Sequence, residues 1–193
     1  MAGIAGIESE GAKQRVMNML NKLAYRGKAG SRVFESEGTT LGMVWNNAES
    51  ETAKRYLSGR RVADDKGPGH CAKVSPKSGK FIMYRDELGV APLYYGKDNS
   101  GNMCFSSEVK SLLSFTKEVS EVPAGHIFDG ENLESHFTLQ TDNLSDDNPD
   151  RIAEELRKHL DDAVSACIRS DNIGSWLSGG LDSSAICALA SEK

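Results

Sequence analysis

A glycine pair between two apolar segments, near the C-terminal end, constrains the fold more than any other feature. The segment consists of IGSWL at 173–177, SGGLDSS at 178–184 and AICALA at 185–190. The first stretch predicts a buried strand and the third a helix, and glycine lets the backbone between them turn sharply. An order of helix, strand, glycine loop and helix is typical of the start of a parallel α/β domain.

The helix in front of this segment is predicted from apolar residues at helical spacing. They are Ile152, Leu156, Leu160, Ala163, Val164 and Cys167. Asp147 or Asn148 suits the N-cap and Pro149 the first turn. The preceding residues 141–149, TDNLSDDNP, are polar and turn-rich, and we interpret them as a linker between domains at 1–140 and 150–193.

The first domain is predicted to be β-rich. The apolar run at 3–7 predicts a strand, and the apolar positions of 13–24 recur at the spacing of an amphipathic helix. Strand-like segments flank glycine-containing turns at 70–85 and at 92–107, which predicts two β-hairpins. The stretch RRVADDKGPGH at 60–70 is charged and turn-forming, and we predict a loop there.

Composition indicates a globular chain of the cytoplasmic type. Of 193 residues, 38% are hydrophobic and 26% are charged, as in soluble proteins. The formal net charge is −5 and no dense basic cluster occurs, so we expect neither a nucleic-acid partner nor a membrane partner. No apolar stretch reaches the roughly 20 residues of a membrane span, and the N-terminus does not resemble a secretory signal.

The cysteines and histidines do not predict a metal site. Cys71, Cys104, Cys167 and Cys187 are far apart and lie among apolar residues, so we predict buried, reduced thiols. The four histidines also lack the spacing of metal ligands. For Arg85 and Asp86, at a predicted strand end, we favour a structural ion pair or turn hydrogen bond over catalysis.

The glycine loop has the chemistry of an anion-binding site. Its residues are Ser178, Gly179, Gly180, Leu181, Asp182, Ser183 and Ser184. The following helix would offer free N–H groups and the positive end of its dipole, and the serine hydroxyls add donors. No lysine follows in the Walker A frame, so this is not a P-loop.

This SGGLDSS loop resembles the pyrophosphate-binding (PP-loop) segment of the ATP pyrophosphatase superfamily. The resemblance implies binding of ATP and Mg²⁺, with Asp182 a candidate Mg²⁺ ligand. It also implies attack of a substrate carboxylate on the α-phosphorus, giving an acyl-adenylate and pyrophosphate.

Several N-terminal segments resemble the class II glutamine amidotransferase domain that precedes this loop in the asparagine synthetase family. They are AGIAGI, LNKLAYRGKAG, YRDELGVAPLYYG, FSSEVKSLL and VPAGHIF. The resemblance implies an α+β fold of the Ntn-hydrolase type, with stacked antiparallel β-sheets and flanking helices. It implies that only the first helix, strand, loop and helix of the α/β PP-loop domain follow.

The departures from this family fall in its reaction centre. The family has a nucleophilic cysteine where this chain has Ala2, and its carboxylate-binding arginine falls on Val44. The RGPD turn is RGKA at 26–29, and neither the NGEIYN strand of the oxyanion hole nor the amine-binding DTE stretch occurs. Loss of a nucleophile together with its oxyanion donors removes most transition-state stabilisation. We therefore expect no catalytic residue in a degenerate amidotransferase domain.

The resulting expectation is a truncated relative of asparagine synthetase that is inactive by itself. Its parent would activate an aspartate-like carboxylate with ATP and join it to ammonia or another amine, with ATP and Mg²⁺ not tightly bound by this chain. Two alternatives stay open: a non-catalytic scaffold built on the amidotransferase fold, and a β-lactam-synthetase-like enzyme. A homodimer also stays open.

Overall fold

A computed structural model describes residues 2–47, 50–58, 60–67, 70–141, 145–168 and 173–193. The chain divides into two units, Met1–Thr138 and Leu139–Lys193. The strands of the first unit are β1 (Gly3–Ile7), β2 (Gly30–Ser36), β3 (Thr39–Trp45), β4 (Val62–Gly67), β5 (His70–Lys77), β6 (Lys80–Arg85), β7 (Tyr94–Lys97), β8 (Met103–Ser106), β9 (Ser120–Glu121), β10 (His126–Phe128) and β11 (Leu133–Ser135). Its helices are α1 (Lys13–Lys22), a 3₁₀ turn (Ala24–Arg26), α2 (Ser50–Ser58) and α3 (Val109–Leu112), and the second unit contains α4 (Pro149–Cys167) and α5 (Leu181–Ser191).

The strands of the first unit form two antiparallel sheets. Within the described residues, the first sheet has the order β2-β3-β1-β8-β7-β9 and the second the order β11-β10-β6-β5-β4. Strand β1 lies inside the first sheet, where Gly3 pairs with Val44 of β3 and Ala5 with Ser106 of β8. The first residues of the chain are therefore held on both sides by neighbouring strands.

Two apolar cores sandwich the first sheet. Ile4 packs between the two sheets in the same core as Phe81 and Phe105, whose rings meet edge to face with centroids 4.8 Å apart. Ile7 lies in the second core, beneath α1, with Leu20. Because both faces of β1 are buried, its sequence is continuously apolar or small rather than alternating.

The expected α+β class with stacked antiparallel sheets and flanking helices is confirmed, as are both hairpins and the amphipathic helix α1. The loop predicted at 60–70 is wrong, because β4 occupies most of it and pairs with β5 from Val62↔Val74 onwards. Asp64 is completely buried despite its charge. Its ion pair, described below, explains why this polar segment is compatible with a strand.

The second unit begins as predicted but lacks the predicted strand. The Asn148 side chain accepts a hydrogen bond from the Arg151 N–H at 2.9 Å and caps α4. The strand predicted at 173–177 is wrong: the segment has no strand geometry, and Trp176 and Leu177 are 96% and 65% exposed. A strand needs a hydrogen-bonding neighbour, and none lies beside this segment in the described part of the chain.

No helix formed by the described residues combines the length and the apolar character needed to cross a bilayer.

Substitution of Gly6 by alanine tests the packing of the first sheet. A Cβ on Gly6 would overlap the Phe105 ring and lie 2.9 Å from the Thr40 carbonyl oxygen. Overpacking of this kind costs about 1–3 kcal/mol of unfolding free energy. Urea denaturation followed by circular dichroism should show this loss for Gly6→Ala.

Gly174→Ala is the matched control, because a Cβ there would meet no atom of the described residues within 4 Å. An unchanged urea midpoint for Gly6→Ala would contradict this packing.

Candidate functional site

Ala2, at the position of the family nucleophile, lies inside the protein. Its side chain belongs to the core between the two sheets and only 1% of the residue is exposed. The following strand is fixed by Ser107, whose Oγ accepts the Ile4 N–H at 3.0 Å and whose own N–H donates to the Ile4 carbonyl at 2.9 Å. A small molecule in solvent therefore has no direct contact with the residue 2 side chain.

Arg26 is the charged group that contacts the start of β1. It follows α1 in the 3₁₀ turn and is 5% exposed. Its Nε donates to the Ala2 carbonyl oxygen at 2.9 Å. Its Nη2 lies 2.5 Å from Asp64 Oδ2, and its Nη1 lies 2.9 Å from Glu108 Oε1. All three guanidinium nitrogens are therefore engaged by partners within the protein.

Glu108 is held as a carboxylate by its neighbours. The Tyr25 hydroxyl donates to it, and Lys110 Nζ lies 3.2 Å from its Oε2. Burial acts to raise the pKa of Glu108, but the hydrogen bond from Tyr25 and those from the two cations lower that pKa below its usual value. A carboxylate stabilised in this way is a weak base, so this cluster favours structure over proton transfer.

The thiols of the first unit are not activated as nucleophiles. Cys71 and Cys104 are buried as predicted, and burial raises the pKa of both, to about 12 for Cys104. Since the thiolate is the reactive form, neither sulfur is activated near neutral pH. In the second unit the prediction of burial is wrong, because Cys167 is exposed and Cys187 is half-buried.

Arg85 and Asp86 make the turn hydrogen bonds expected of them. Arg85 donates to the carbonyl oxygens of Gly89, Ala91 and Val122 at 2.7–3.0 Å. Asp86 is fully buried and accepts the N–H groups of the same loop. Both side chains therefore hold the loop between β6 and β7 in place.

The glycine loop of the second unit leads directly into α5. Gly179 has φ +84°, a conformation that favours glycine. Gly180 is the N-cap of α5 and no side chain caps the helix there. The first intrahelical hydrogen bond of α5 runs from the Ser184 N–H to the Gly180 carbonyl oxygen. The N–H groups before Ser184 in the first turn have no carbonyl partner within the helix, so they are available to an anion.

The hydroxyls of this loop are clustered at the same point. Ser178 Oγ lies 2.8 Å from Ser183 Oγ, and the Ser183 and Ser184 hydroxyls donate to the Gly180 carbonyl oxygen. Asp182 lies in the first turn and is exposed. No group of three or more histidine, cysteine or acidic residues that could hold a metal occurs among the described residues. The loop therefore offers anion donors and a single exposed carboxylate.

Sequence reasoning missed the cluster of Arg26, Asp64 and Glu108. The charged, turn-forming stretch around Asp64 predicts a loop, and the sequence marks Arg26 only as the first residue of the altered RGPD turn. No local sequence signal marks this cluster, because the buried Asp64 carboxylate is compatible with a strand only through its distant partner Arg26.

Two solved structures share this fold. One is the glutamine phosphoribosylpyrophosphate amidotransferase of B. subtilis complexed with ADP and GMP, with a TM-score of 0.50, 15% identity and coverage of 98% of this chain and 64% of that one. The other is described as the allosteric regulatory enzyme of purine biosynthesis, with a TM-score of 0.51, 14% identity and coverage of 97% and 63%. The first unit thus has the fold of the Ntn-type amidotransferases.

The sequence comparisons identify the branch of this class. Residues 72–147 match the glutamine amidotransferase domain family and residues 155–193 match the asparagine synthase family. Asparagine synthetase B [glutamine-hydrolyzing] of Escherichia coli (strain K12) is 38% identical over 120 residues, which cover 56% of this chain and 20% of that protein.

The probable asparagine synthetase [glutamine-hydrolyzing] of Dictyostelium discoideum is 30% identical over 123 residues, which cover 60% of this chain and 22% of that protein. The chain is therefore related to the asparagine synthetases, and it spans about a fifth of the length of these two relatives.

Replacing Arg26 by methionine tests the role of the buried cluster. The substitution leaves the Asp64 carboxylate without its buried cation, and breaking such a pair costs about 3–5 kcal/mol of unfolding free energy. Urea denaturation of Arg26→Met should therefore show a large loss of stability or an unfolded chain.

Arg32→Met is the control, because Arg32 is exposed on β2 and should lose less than about 0.5 kcal/mol. Equal stability of the two variants would contradict the structural role assigned to Arg26.

Proposed function

We propose that this chain joins a glutaminase-inactive amidotransferase body to the phosphate-binding segment of an ATP-dependent, amide-forming ligase. The observation that carries the first half is the burial of Ala2, which lacks a nucleophile and is 1% exposed. The second half is supported by the exposed glycine loop at the N-terminus of α5 and by the relationship to asparagine synthetases.

Loss of glutaminase chemistry follows from the groups around residue 2. Attack on an amide needs a thiolate or hydroxyl, a proton acceptor and donors for the oxyanion. Ala2 supplies no nucleophile, and the nearby Arg26 donates to Ala2, Asp64 and Glu108 rather than to a pocket open to solvent. The domain is retained for packing in this proposal.

The proposed ligase chemistry uses the glycine loop to hold pyrophosphate. A carboxylate oxygen of the acceptor attacks the α-phosphorus of ATP, and the bond from this phosphorus to the pyrophosphate oxygen breaks. An amine nitrogen then attacks the acyl carbon and loses a proton to water, and AMP leaves with the former bonding electron pair. Mg²⁺, with Asp182 as a candidate ligand, would neutralise charge on the departing pyrophosphate.

The loop residues have separate tasks in this scheme. The N–H groups at the start of α5 would bind the phosphate oxygens, with the helix dipole favouring the negative charge. The Ser183 and Ser184 hydroxyls, which donate to the Gly180 carbonyl, would turn toward the same oxygens. Because glutamine is not hydrolysed, the amine donor is free ammonia or another amine, and the acceptor is an aspartate-like carboxylate.

Restoring a thiol at residue 2 tests the inactive domain. Ala2→Cys should release no more glutamate from glutamine than the unchanged chain, because the thiol would lie in the core and lack oxyanion donors. Glutamate is measured by a coupled dehydrogenase assay, and intact mass shows whether Met1 has been removed. Glutamine-dependent turnover by the processed variant would overturn this half of the proposal.

Pyrophosphate titration tests the loop. With Mg²⁺ present, the amide NMR resonances of residues 178–184 should shift at millimolar pyrophosphate. Asp182→Asn should weaken the affinity for pyrophosphate by up to about tenfold, as expected for the loss of one exposed ligand. Glu192→Gln, an exposed change at the other end of α5, is the control. Unchanged resonances in the loop would contradict the assignment, and micromolar binding of ATP would contradict the expectation that this chain does not bind ATP tightly.

A further inference from the structure

A cavity of the first unit lies at the far end of β1 from Ala2. Its volume is about 360 Å³, within the range of small-molecule sites. Glu8, Lys80 and Lys97 contribute to its lining, together with the turns that follow β5, β7 and β10. Residues 2 and 8 are separated by about 20 Å along an extended strand, so this cavity is distinct from the position of the family nucleophile.

Glu8 places a carboxylate in the interior of this cavity. Its side chain is 6% exposed, Oε1 accepts the Phe81 N–H at 2.6 Å, and Oε2 lies 3.6 Å from Lys80 Nζ. Burial raises the pKa of Glu8, although the Phe81 N–H, Lys80 and, less strongly, Lys97 act to lower it. The negative charge of the carboxylate is therefore only partly compensated within the protein. Ile82 and Met103 supply apolar walls beside it.

The outer part of the cavity carries two lysines that form no close ion pair among the described residues. Lys77 and Lys97 are exposed, and within the described residues neither forms an ion pair shorter than 4 Å. Asp129 and Glu131 also line the cavity, and the N–H groups of Glu131 and Asn132 that donate to the Asp129 carboxylate lower its pKa and keep it charged. The cavity therefore presents the buried carboxylate of Glu8 inside and charges of both signs at its rim, where Lys77 and Lys97 supply the cations.

We propose that this cavity binds a small zwitterion, with the ligand ammonium on Glu8 and the ligand carboxylate between Lys77 and Lys97. A simple anion would lie close to the Glu8 carboxylate, and a simple cation would leave both lysines unpaired. A molecule with both charges can pair with Glu8 inside the cavity and with the lysines at its rim. Such charge-assisted hydrogen bonds are stronger than hydrogen bonds between neutral groups. Neither Ala2 nor the loop at 178–184 takes part, so this site is independent of the proposed ligase chemistry.

Isothermal titration of the 193-residue chain with four matched probes tests the proposal. 2-Aminobutyrate and 4-aminobutyrate carry both charges at two spacings, while butyrate and butylamine carry one charge each. At low salt, at least one zwitterion should bind about tenfold more tightly than both single-charge probes. The proposal is overturned if butyrate or butylamine binds as tightly as the zwitterions, or if neither zwitterion binds at about 20 mM.

Variants then assign the binding to the cavity. Glu8→Gln keeps an acceptor for the Phe81 N–H but removes the charge, and Lys97→Met removes an exposed cation without disturbing the core. Each should weaken zwitterion binding about tenfold. Glu51→Gln and Lys54→Met change an exposed ion pair on α2, outside the cavity, and should leave binding unchanged.

If Lys97→Met binds the zwitterion with unchanged affinity, or if the α2 variants lose as much affinity as Lys97→Met, the zwitterion does not bind in this cavity. This test holds even if Glu8→Gln does not fold.

Discussion

The buried guanidinium of Arg26 is the interaction on which the arrangement of the first unit depends. It contacts the backbone at the start of β1, a carboxylate on β4 of the second sheet and a carboxylate just after β8. Removing a charge from water is costly unless protein groups replace the lost hydration. Here each of the three guanidinium nitrogens of Arg26 donates a hydrogen bond to an oxygen of the protein. One side chain thereby links the middle of the first sheet to the edge of the second.

This arrangement is consistent with the proposal that the amidotransferase body is retained for packing. A catalytic pocket needs polar groups that face a substrate, and such groups reduce stability when no substrate is present. In this chain Arg26 and the carboxylates around residue 2 satisfy one another, and Ala2 extends the apolar core. The same residues that would cost stability in an open pocket therefore hold the two sheets together.

The elements predicted correctly are those whose sequence pattern is local. The hairpin of β5 and β6 combines strand-type residues with a Ser78–Gly79 turn, and α4 has its cap and proline in the expected positions. Strand β2 was not predicted, since its turn to β3 places Glu37 at φ +48°, a conformation usually taken by glycine or asparagine.

Elements that depend on distant partners could not be predicted from a local pattern. Asp64 is compatible with a buried strand only because Arg26, 38 residues earlier, neutralises it. The same limit applies to the candidate sites: Ala2 and the glycine loop were found from motifs, whereas the Arg26 contact with Glu108 spans 82 residues. The cavity beside Glu8 depends on three turns that only the folded sheets bring together.

The labelling rate of a thiol at residue 2 tests most directly whether this position is part of the core, as the proposal requires. In native Ala2→Cys, the N-terminal peptide would be followed by mass spectrometry, with exposed Cys167 and buried Cys104 as references in the same molecule. Protection of Cys at position 2 comparable to that of Cys104 is the predicted result. Labelling as fast as that of Cys167 would show an open pocket at residue 2 and would contradict the account.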